Sequence, residues 1–107
     1  MAEALLQLPG LQEHAAAGRP VLVGTARYAD TVLGKAMDER EGFAKAVVDE
    51  QTRRILGFHV VGPHASLLLP EVANAVTRGE RVEAITDCMH VFPALSDLVT
   101  ETFSNLA

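Results

Sequence analysis

The sequence has only one cysteine, Cys88, among its 107 residues. One cysteine can form neither an intramolecular disulfide nor a Cys-x-x-Cys redox pair, so the composition indicates a reducing, cytoplasmic setting. No apolar run approaches the roughly 20 residues that a membrane-spanning helix needs. The opening Met1-Ala-Glu-Ala-Leu-Leu lacks the basic start and the apolar stretch of a signal peptide. We therefore expect a cytoplasmic protein that does not enter a membrane.

Positive charge is also scarce. Nine Lys and Arg residues stand against 14 Asp and Glu residues, which gives a net charge of −5, and no basic cluster interrupts this balance. An acidic chain without a basic patch is poorly suited to bind nucleic acid or an anionic membrane. Internal repeats and low-complexity tracts are absent as well. With 49% apolar and 21% charged residues, the chain is long enough for one globular domain with its own core.

Three stretches carry the apolar patterns of β-strands. Residues 21–28 alternate between two faces, and residues 42–49 and 55–62 are two further runs rich in β-branched side chains. The polar residues between the last two runs predict a hairpin, so these two strands should pair antiparallel. Lys45 and His59 interrupt otherwise apolar faces, which predicts that one face of the sheet is wetter than the other.

Three helical patterns follow the strands. Residues 64–79 place apolar side chains at helical spacing and end at Gly79, a typical C′ glycine, while Pro70 should kink this helix or delay its first regular turn. Residues 80–89 predict a short second helix, and residues 95–103 predict the closing helix. Strands followed by helices predict an α+β fold, in which an antiparallel sheet of three to five strands is covered by about three helices.

The beginning of the chain is less informative. Residues 2–8 are compatible with a short helix and residues 12–17 with a helical turn, and a nearby Gly and Pro end each of them. We predict one domain, with a helical or loop lead-in over residues 1–20 and the main folded unit over residues 21–107. Residues 30–39 lack strand alternation and are predicted to form a loop.

A proline motif near the end of the chain is more specific. The run His90-Val-Phe-Pro-Ala-Leu-Ser-Asp97 has the pattern His-x-x-Pro-x-Leu-Ser-acid. Phe92 precedes Pro93, so it is pushed toward an extended conformation and the helix before it must end. The pattern resembles the C-terminal signature of the flavoprotein disulfide reductases, the family of dihydrolipoamide dehydrogenase, glutathione reductase and mercuric reductase. The usual run in that family is His-x-His-Pro-Thr-Leu-Ser-Glu.

Two further segments resemble the same family in order and spacing. Glu41-Gly-Phe-Ala-Lys45 with Asp49 is similar to its Glu-Gly-Phe-x-Lys…Asp strand, and residues 55–66 are similar to its Ile-Leu-Gly-x-His-x-Val-Gly-x-x-Ala-Ser segment. The resemblance covers residues from about 21 to 106. It implies the dimerisation domain of an FAD-dependent pyridine nucleotide-disulfide oxidoreductase, with reductase dimerisation-domain-like architecture.

The resemblance also implies the partners of this domain. They would be a second copy of the chain in a homodimer and the FAD and NAD(P) domains of a parent polypeptide. The chain contains neither the Gly-x-Gly-x-x-Gly loop nor the redox cysteine pair of those domains. We therefore expect FAD and NAD(P) to be cofactors of the parent enzyme, with no cofactor held by this chain and no activity of the chain alone.

The same resemblance gives roles to positions in the proline motif. The family's catalytic base is the second His of the signature, and this position is Phe92; the family's orienting acid is Asp97. A phenyl ring has no proton to exchange, so we assign no catalytic residue, and Asp97 is then an early-helix carboxylate favoured by the helix dipole. Phe92 and Pro93 would border the partner's FAD. The predicted interface comprises Val91, Phe92, Pro93, Ala94, Leu95 and Leu98.

Other chemistry at the histidines and the cysteine has less support. His90 is a weak candidate for a replacement base, because it lies two residues before Phe92 and would point elsewhere. His59, His64 and Cys88 are metal-ligand types that nothing in the sequence brings together, so no metal site is predicted. Cys88 lies one turn after an isoleucine in the predicted helix and is expected to be a buried apolar residue.

Arg53 departs from the family pattern within the predicted hairpin. Family hairpins place Gly at this position, where the backbone needs a positive φ. Arginine there predicts strain or a different turn.

A second function remains open beside the reductase fragment. The chain begins with an initiator-like Met1, which allows a free-standing interface or binding module that has lost the flavin and nucleotide domains. An independent small enzyme has little support, because the sequence shows no nucleophile–base pair, carboxylate dyad or metal-ligand spacing.

Overall fold

The structure is a computed structural model, and it describes residues 3–7, 18–31, 35, 41–90, 94 and 96–107. Its strands are β1 (Glu3–Gln7), β2 (Val21–Arg27), β3 (Phe43–Asp49) and β4 (Ile55–Val61). Its helices are α1 (Pro70–Thr77), α2 (Glu83–Thr86) and α3 (Asp97–Ser104), and 3-10 turns cover Tyr28–Asp30 and Ala65–Leu68. The predicted α+β fold is confirmed.

The described strands form one antiparallel sheet in the order β1-β4-β3-β2. β2 and β4 both pair with β3, and β1 pairs with the free side of β4, from Glu3 opposite Val61 to Gln7 opposite Gly57. Four strands fall within the predicted three to five. The helices lie on one face of this sheet, so the fold has two layers.

The strand Glu3–Gln7 contradicts the helix predicted for residues 2–8. A helix of so few residues is marginal in water because its costly first turn is repaid by few hydrogen bonds. The free side of β4 offers a row of backbone partners instead. The turn predicted for residues 12–17 lies outside the described residues, as do residues 32–34 and 36–39 of the predicted loop. The division of the domain at residue 20 stays a prediction.

The hairpin between β3 and β4 is stabilised by the backbone and side chain of Asp49. The Asp49 N–H donates to Arg54 O (2.9 Å), and Arg53 N–H donates to Asp49 O (2.8 Å). Asp49 Oδ1 accepts hydrogen bonds from the N–H groups of Gln51 and Thr52, and Arg19 lies 3.0 Å from Oδ2. This confirms the predicted hairpin, and the conformation of Arg53, with φ 62°, confirms the predicted strain.

The hydrophobic core fills the space between the sheet and the helices. Phe58 of β4 stacks on Phe103 of α3, with ring centroids 5.7 Å apart. The largest fully buried side chains are Tyr28, Phe58, Phe103, Ile55, Leu56, Ile85 and Leu98. On the opposite face of the sheet, Phe43 and Lys45 are exposed and His59 is half-buried. This difference agrees with the predicted wetter face.

Proline and glycine set the two ends of α1. Pro70 occupies the first helical position, where its missing N–H costs nothing, so the regular turn is delayed to Pro70, one of its two predicted effects. The helix predicted for residues 64–79 is therefore shorter than expected, and a 3-10 turn covers Ala65–Leu68 before it. Gly79 has φ 68° just beyond the last helical residue. The Glu80 N–H donates to Ala75 O (2.9 Å) and the Gly79 N–H to Val76 O (3.0 Å). This is a Schellman motif, and it confirms Gly79 as the C′ residue.

Helix α3 packs closely across β2. A Cβ at Gly24 would lie 2.2 Å from Thr102 O, so the strand needs glycine at the contact. Beyond α3, the Asn105 side chain donates to Thr25 O (3.0 Å). Ala107 then exchanges two backbone hydrogen bonds with Val23, each 3.2 Å. The end of the chain therefore lies along the outer side of β2.

None of the helices among the described residues has the length and apolar content needed to cross a membrane.

Candidate functional site

The proline motif leads into α3, and the structure describes part of it. Val91, Phe92, Pro93 and Leu95 lie outside the described residues, so their predicted interface and FAD-bordering roles stay predictions. Ala94, also predicted to be in the interface, is described and is half-buried. It therefore has surface left with which to contact a second molecule.

Asp97 is the first residue of α3. Its N–H donates to Ala94 O (3.1 Å), and its Oδ2 lies 3.5 Å from the Ala94 amide nitrogen. The carboxylate is thus in the first helical turn, where the helix dipole favours negative charge. This position is the one expected of an early-helix carboxylate.

Leu98 lies on the inner face of α3. Its side chain is 0% exposed and belongs to the core of this chain. A fully buried side chain has no surface for a direct contact with a second molecule. The predicted interface role of Leu98 is therefore corrected to a core role, because α3 turns Leu98, Val99 and Phe103 toward the sheet.

His90 is held by a glutamate from another element. Its Nε2 lies 2.6 Å from Oε2 of Glu71, and the histidine side chain is 15% exposed. Pro70 begins α1 and so places Glu71 in the first turn. His90, the candidate replacement base, is therefore already hydrogen-bonded to a carboxylate, and this bond fixes the orientation of its ring.

Cys88 is exposed, which contradicts the prediction that it is buried. Helix α2 is only one turn long and ends at Thr86, with Asp87 as its C-cap. The helical spacing that relates Cys88 to Ile85 therefore does not persist to residue 88. Ile85 is 0% exposed, whereas Met89 is 94% exposed.

The structure places close together three side chains that the sequence did not connect. Within the described residues, one ligand-type atom from each of Glu71, Cys88 and His90 lies within 4.8 Å of the others. Cys88 and His90 are two residues apart, which was visible in the sequence, but Glu71 comes from α1 and no sequence pattern pointed to it. His59 instead packs edge-on against Phe43, and this cluster includes neither His59 nor the exposed His64.

The hairpin holds α2, and hence the segment that carries Cys88. The Val82 N–H donates to Arg53 O (3.0 Å), and Arg53 Nε donates to Glu83 Oε1 (3.2 Å). The backbone N–H of Glu83 itself, and then the guanidinium of Arg53, hold the pKa of Glu83 below its ordinary value; nearby Arg81 adds to this. Glu83 is therefore ionised at neutral pH and attracts the hairpin arginine.

Comparison with known proteins identifies the family of the chain. The sequence profile of the pyridine nucleotide-disulphide oxidoreductase dimerisation domain matches residues 9–103. The chain belongs to this family. The resemblance found in the proline motif and the two strand segments is thereby confirmed.

Relatives of this dimerisation domain are dihydrolipoyl dehydrogenases. Dihydrolipoyl dehydrogenase 3 of Haloarcula marismortui is 32% identical over 98 residues, which are 90% of this chain and 20% of the relative. The dihydrolipoyl dehydrogenase of Chlamydia trachomatis is 35% identical over 95 residues, 87% of this chain and 20% of the relative. The chain thus spans about a fifth of the length of these curated relatives.

Solved structures of larger proteins share the fold of the dimerisation domain. LpdA from Mycobacterium tuberculosis is 25% identical, with a TM-score of 0.81 over 95% of this chain and 22% of its own. The HOCl-induced flavoprotein disulfide reductase RclA from Escherichia coli has a TM-score of 0.82 over 95% of this chain and 23% of its own. RclA is 22% identical, so it supports the fold alone.

Proposed function

We propose that this chain is the dimerisation unit of an FAD-dependent NAD(P)H:disulfide oxidoreductase, which forms the homodimer and closes the partner subunit's active site. The observation that carries the proposal is the family match over residues 9–103, together with relatives about five times as long. The single cysteine adds support for a reducing, cytoplasmic setting. FAD and NAD(P) would bind to other domains of the parent enzyme.

In this proposal the interface is formed by the residues that directly precede α3. Residues 91–95 would contact the same patch of a second copy, as a two-fold symmetric dimer requires. Phe92 and Pro93 would border the partner's FAD. Ala94, half-buried beside Asp97, is the described residue on which the interface can be tested.

Phe92 gives the proposal a mechanistic consequence. Within the family motif it replaces the His that exchanges protons with the redox thiols, and phenylalanine cannot act as an acid or base. His90 is engaged by Glu71 at 2.6 Å. Proton transfer in the parent would therefore use water or another residue, and efficient dihydrolipoamide or glutathione turnover is not expected. Robust dihydrolipoamide dehydrogenase activity of a parent with Phe92 would contradict this inference.

The genomic reading frame before Met1 tests the assignment to a larger reductase. We expect it to continue upstream and to encode a Gly-x-Gly-x-x-Gly loop and a Cys-x4-Cys pair. A stop codon directly before Met1 would favour the second function, a free-standing interface or binding module. The matched length of about a fifth of each relative supports the larger reductase.

Sedimentation equilibrium of the 107-residue chain tests the interface. We expect a reversible dimer, and we expect the variant Ala94→Arg to be monomeric because a charged side chain would enter an apolar contact. Ser66→Arg introduces the same charge on an exposed residue of a 3-10 turn and should leave the dimer intact. A chain that stays monomeric at the highest soluble concentration would contradict the interface but not the family.

A further inference from the structure

We propose that Glu71, Cys88 and His90 form a binding site for a divalent metal ion, and that this ion is Zn²⁺. One ligand atom from each side chain lies within 4.8 Å of the other two. Glu71 comes from the first turn of α1, and the other two residues come from the segment after α2. The site would therefore tie α1 to the segment that leads into the proline motif.

The donor atoms select the class of metal. The cluster offers a carboxylate oxygen, an imidazole nitrogen and a thiolate sulfur. Zinc is bound by all three kinds of ligand in proteins, whereas magnesium and calcium are bound by oxygen alone. Three protein ligands leave the fourth tetrahedral position for water or another ligand.

The distance between His90 and Glu71 requires only a small rearrangement. His90 Nε2 and Glu71 Oε2 are 2.6 Å apart and share a hydrogen bond. Two ligands of one tetrahedral zinc ion, at bond lengths of about 2.0 Å, stand about 3.3 Å apart. The ion would take the place of the shared hydrogen and separate the two atoms by roughly 0.7 Å. The Glu71 side chain is 32% exposed and can turn by this amount.

The cysteine can reach the ion without disturbing the core. Cys88 is exposed, and its Sγ has a weak contact with Met89 O at 3.6 Å. Glu71 and Cys88 also line an open cavity of about 260 Å³. Glu80 and Arg78 line it too, and the two carboxylates outnumber the one guanidinium. A hydrated cation therefore has both access and a favourable charge environment.

Cobalt titration of the full 107-residue chain under reducing conditions tests the site. Co²⁺ occupies zinc sites and reports a thiolate ligand by a charge-transfer absorption band in the near ultraviolet. We expect one equivalent of Co²⁺ to produce this band and added Zn²⁺ to remove it. Cys88→Ser should abolish the band, and Glu71→Gln and His90→Gln should each weaken binding by at least about tenfold.

Matched variants separate this site from binding by the exposed thiol alone. His64→Gln removes an exposed histidine outside the cluster and should bind Co²⁺ as the unmodified chain does. Zn²⁺ should also raise the unfolding midpoint of the unmodified chain but not that of Cys88→Ser. Because Cys88 is exposed, its serine variant should keep the far-ultraviolet circular dichroism of the fold.

Two results would overturn the proposal. One is the absence of a charge-transfer band at saturating Co²⁺. The other is a band that Glu71→Gln and His90→Gln leave at the same affinity, since the thiol would then bind metal without the cluster.

Discussion

At the scale of single residues, Arg53 shows how one side chain can strain the backbone and still help to join two elements. Its φ of 62° places a residue with a Cβ in the left-handed region, which costs roughly 1–2 kcal/mol. Its guanidinium lies 3.2 Å from Glu83, and its carbonyl accepts the Val82 N–H. The hydrogen bond from Val82 to the Arg53 carbonyl does not depend on the arginine side chain. Substitutions at position 53 can therefore separate the cost of the backbone strain from the contribution of the ion pair with Glu83.

Arg53→Gly should stabilise the chain relative to Arg53→Ala. Both variants lose the ion pair, but only glycine relieves the left-handed strain. We expect a difference of about 1 kcal/mol in the free energy of unfolding, measured by urea denaturation. The ion pair is partly exposed, so Arg53→Ala should cost only about 0.5 kcal/mol relative to arginine. Equal stability of the glycine and alanine variants would contradict the strain.

The pH dependence provides a control for the ion pair. Because the pKa of Glu83 is lower in the folded chain, the stability from its ionisation is present above the ordinary value of 4.5. It is lost as the pH falls through the lowered pKa. The advantage of arginine over alanine at position 53 should therefore fade in acid, whereas the advantage of glycine over alanine should remain.

At the scale of elements, the contact between α3 and β2 depends on the absence of a side chain. Gly24 faces the carbonyl of Thr102, and Leu106 lies beside the same point. The contact cannot widen locally, since Phe103 is stacked on Phe58 one residue further along the helix. A new Cβ at Gly24 would clash with the backbone oxygen of Thr102. A backbone atom cannot move aside as easily as the end of a flexible side chain.

Gly24→Ala should therefore displace α3 and destabilise the chain by about 1–3 kcal/mol. This corresponds to a fall of the unfolding midpoint by on the order of 10 °C, measured by calorimetry. Thr25→Ala changes the next residue, which is exposed, and should leave the midpoint nearly unchanged. A Gly24→Ala variant as stable as the unmodified chain would show that the helix can move without loss.

The elements that sequence predicted well are those with local signals. The hairpin has a polar connection between β-branched runs, and α1 has Pro70 at its start and Gly79 beyond its end. Cys88 was misplaced because helical spacing does not reveal that α2 has only one turn. The neighbourhood of Glu71 and His90 was missed for a different reason: 19 positions separate them, and only the packing of α1 beside the segment after α2 brings them together.

At the scale of the whole molecule, the sheet is completed by residues that the family profile does not cover. The profile match begins at residue 9, whereas β1 spans Glu3–Gln7. β1 was predicted as a helix because its partner, the free side of β4, lies at least 50 positions away in the sequence. Without β1, the β4 strand that carries the buried Phe58 and Val60 would become an edge.

Removal of residues 1–8 should consequently lower the free energy of unfolding. The deletion removes the backbone pairing of β1 with β4 along Glu3–Gln7. We expect the urea midpoint to fall, with the deleted chain still folded around α1 and α3. A second chain, of residues 21–107, tests the predicted division at residue 20. If its urea midpoint equalled that of the full chain, β1 would add nothing to the stability of the domain.

The pairing of Ala107 with Val23 has a consequence for the behaviour of the protein in concentrated solution. An edge strand with unused backbone groups is a template for strands from other molecules, and such pairing leads to aggregation. Here the outward N–H and C=O of Val23 are both occupied by the last residue of the same chain. The tail that follows α3 therefore acts as a built-in guard of the β2 edge, and a chain that lacks Ala107 would lose this protection while keeping Leu106, which packs against the core.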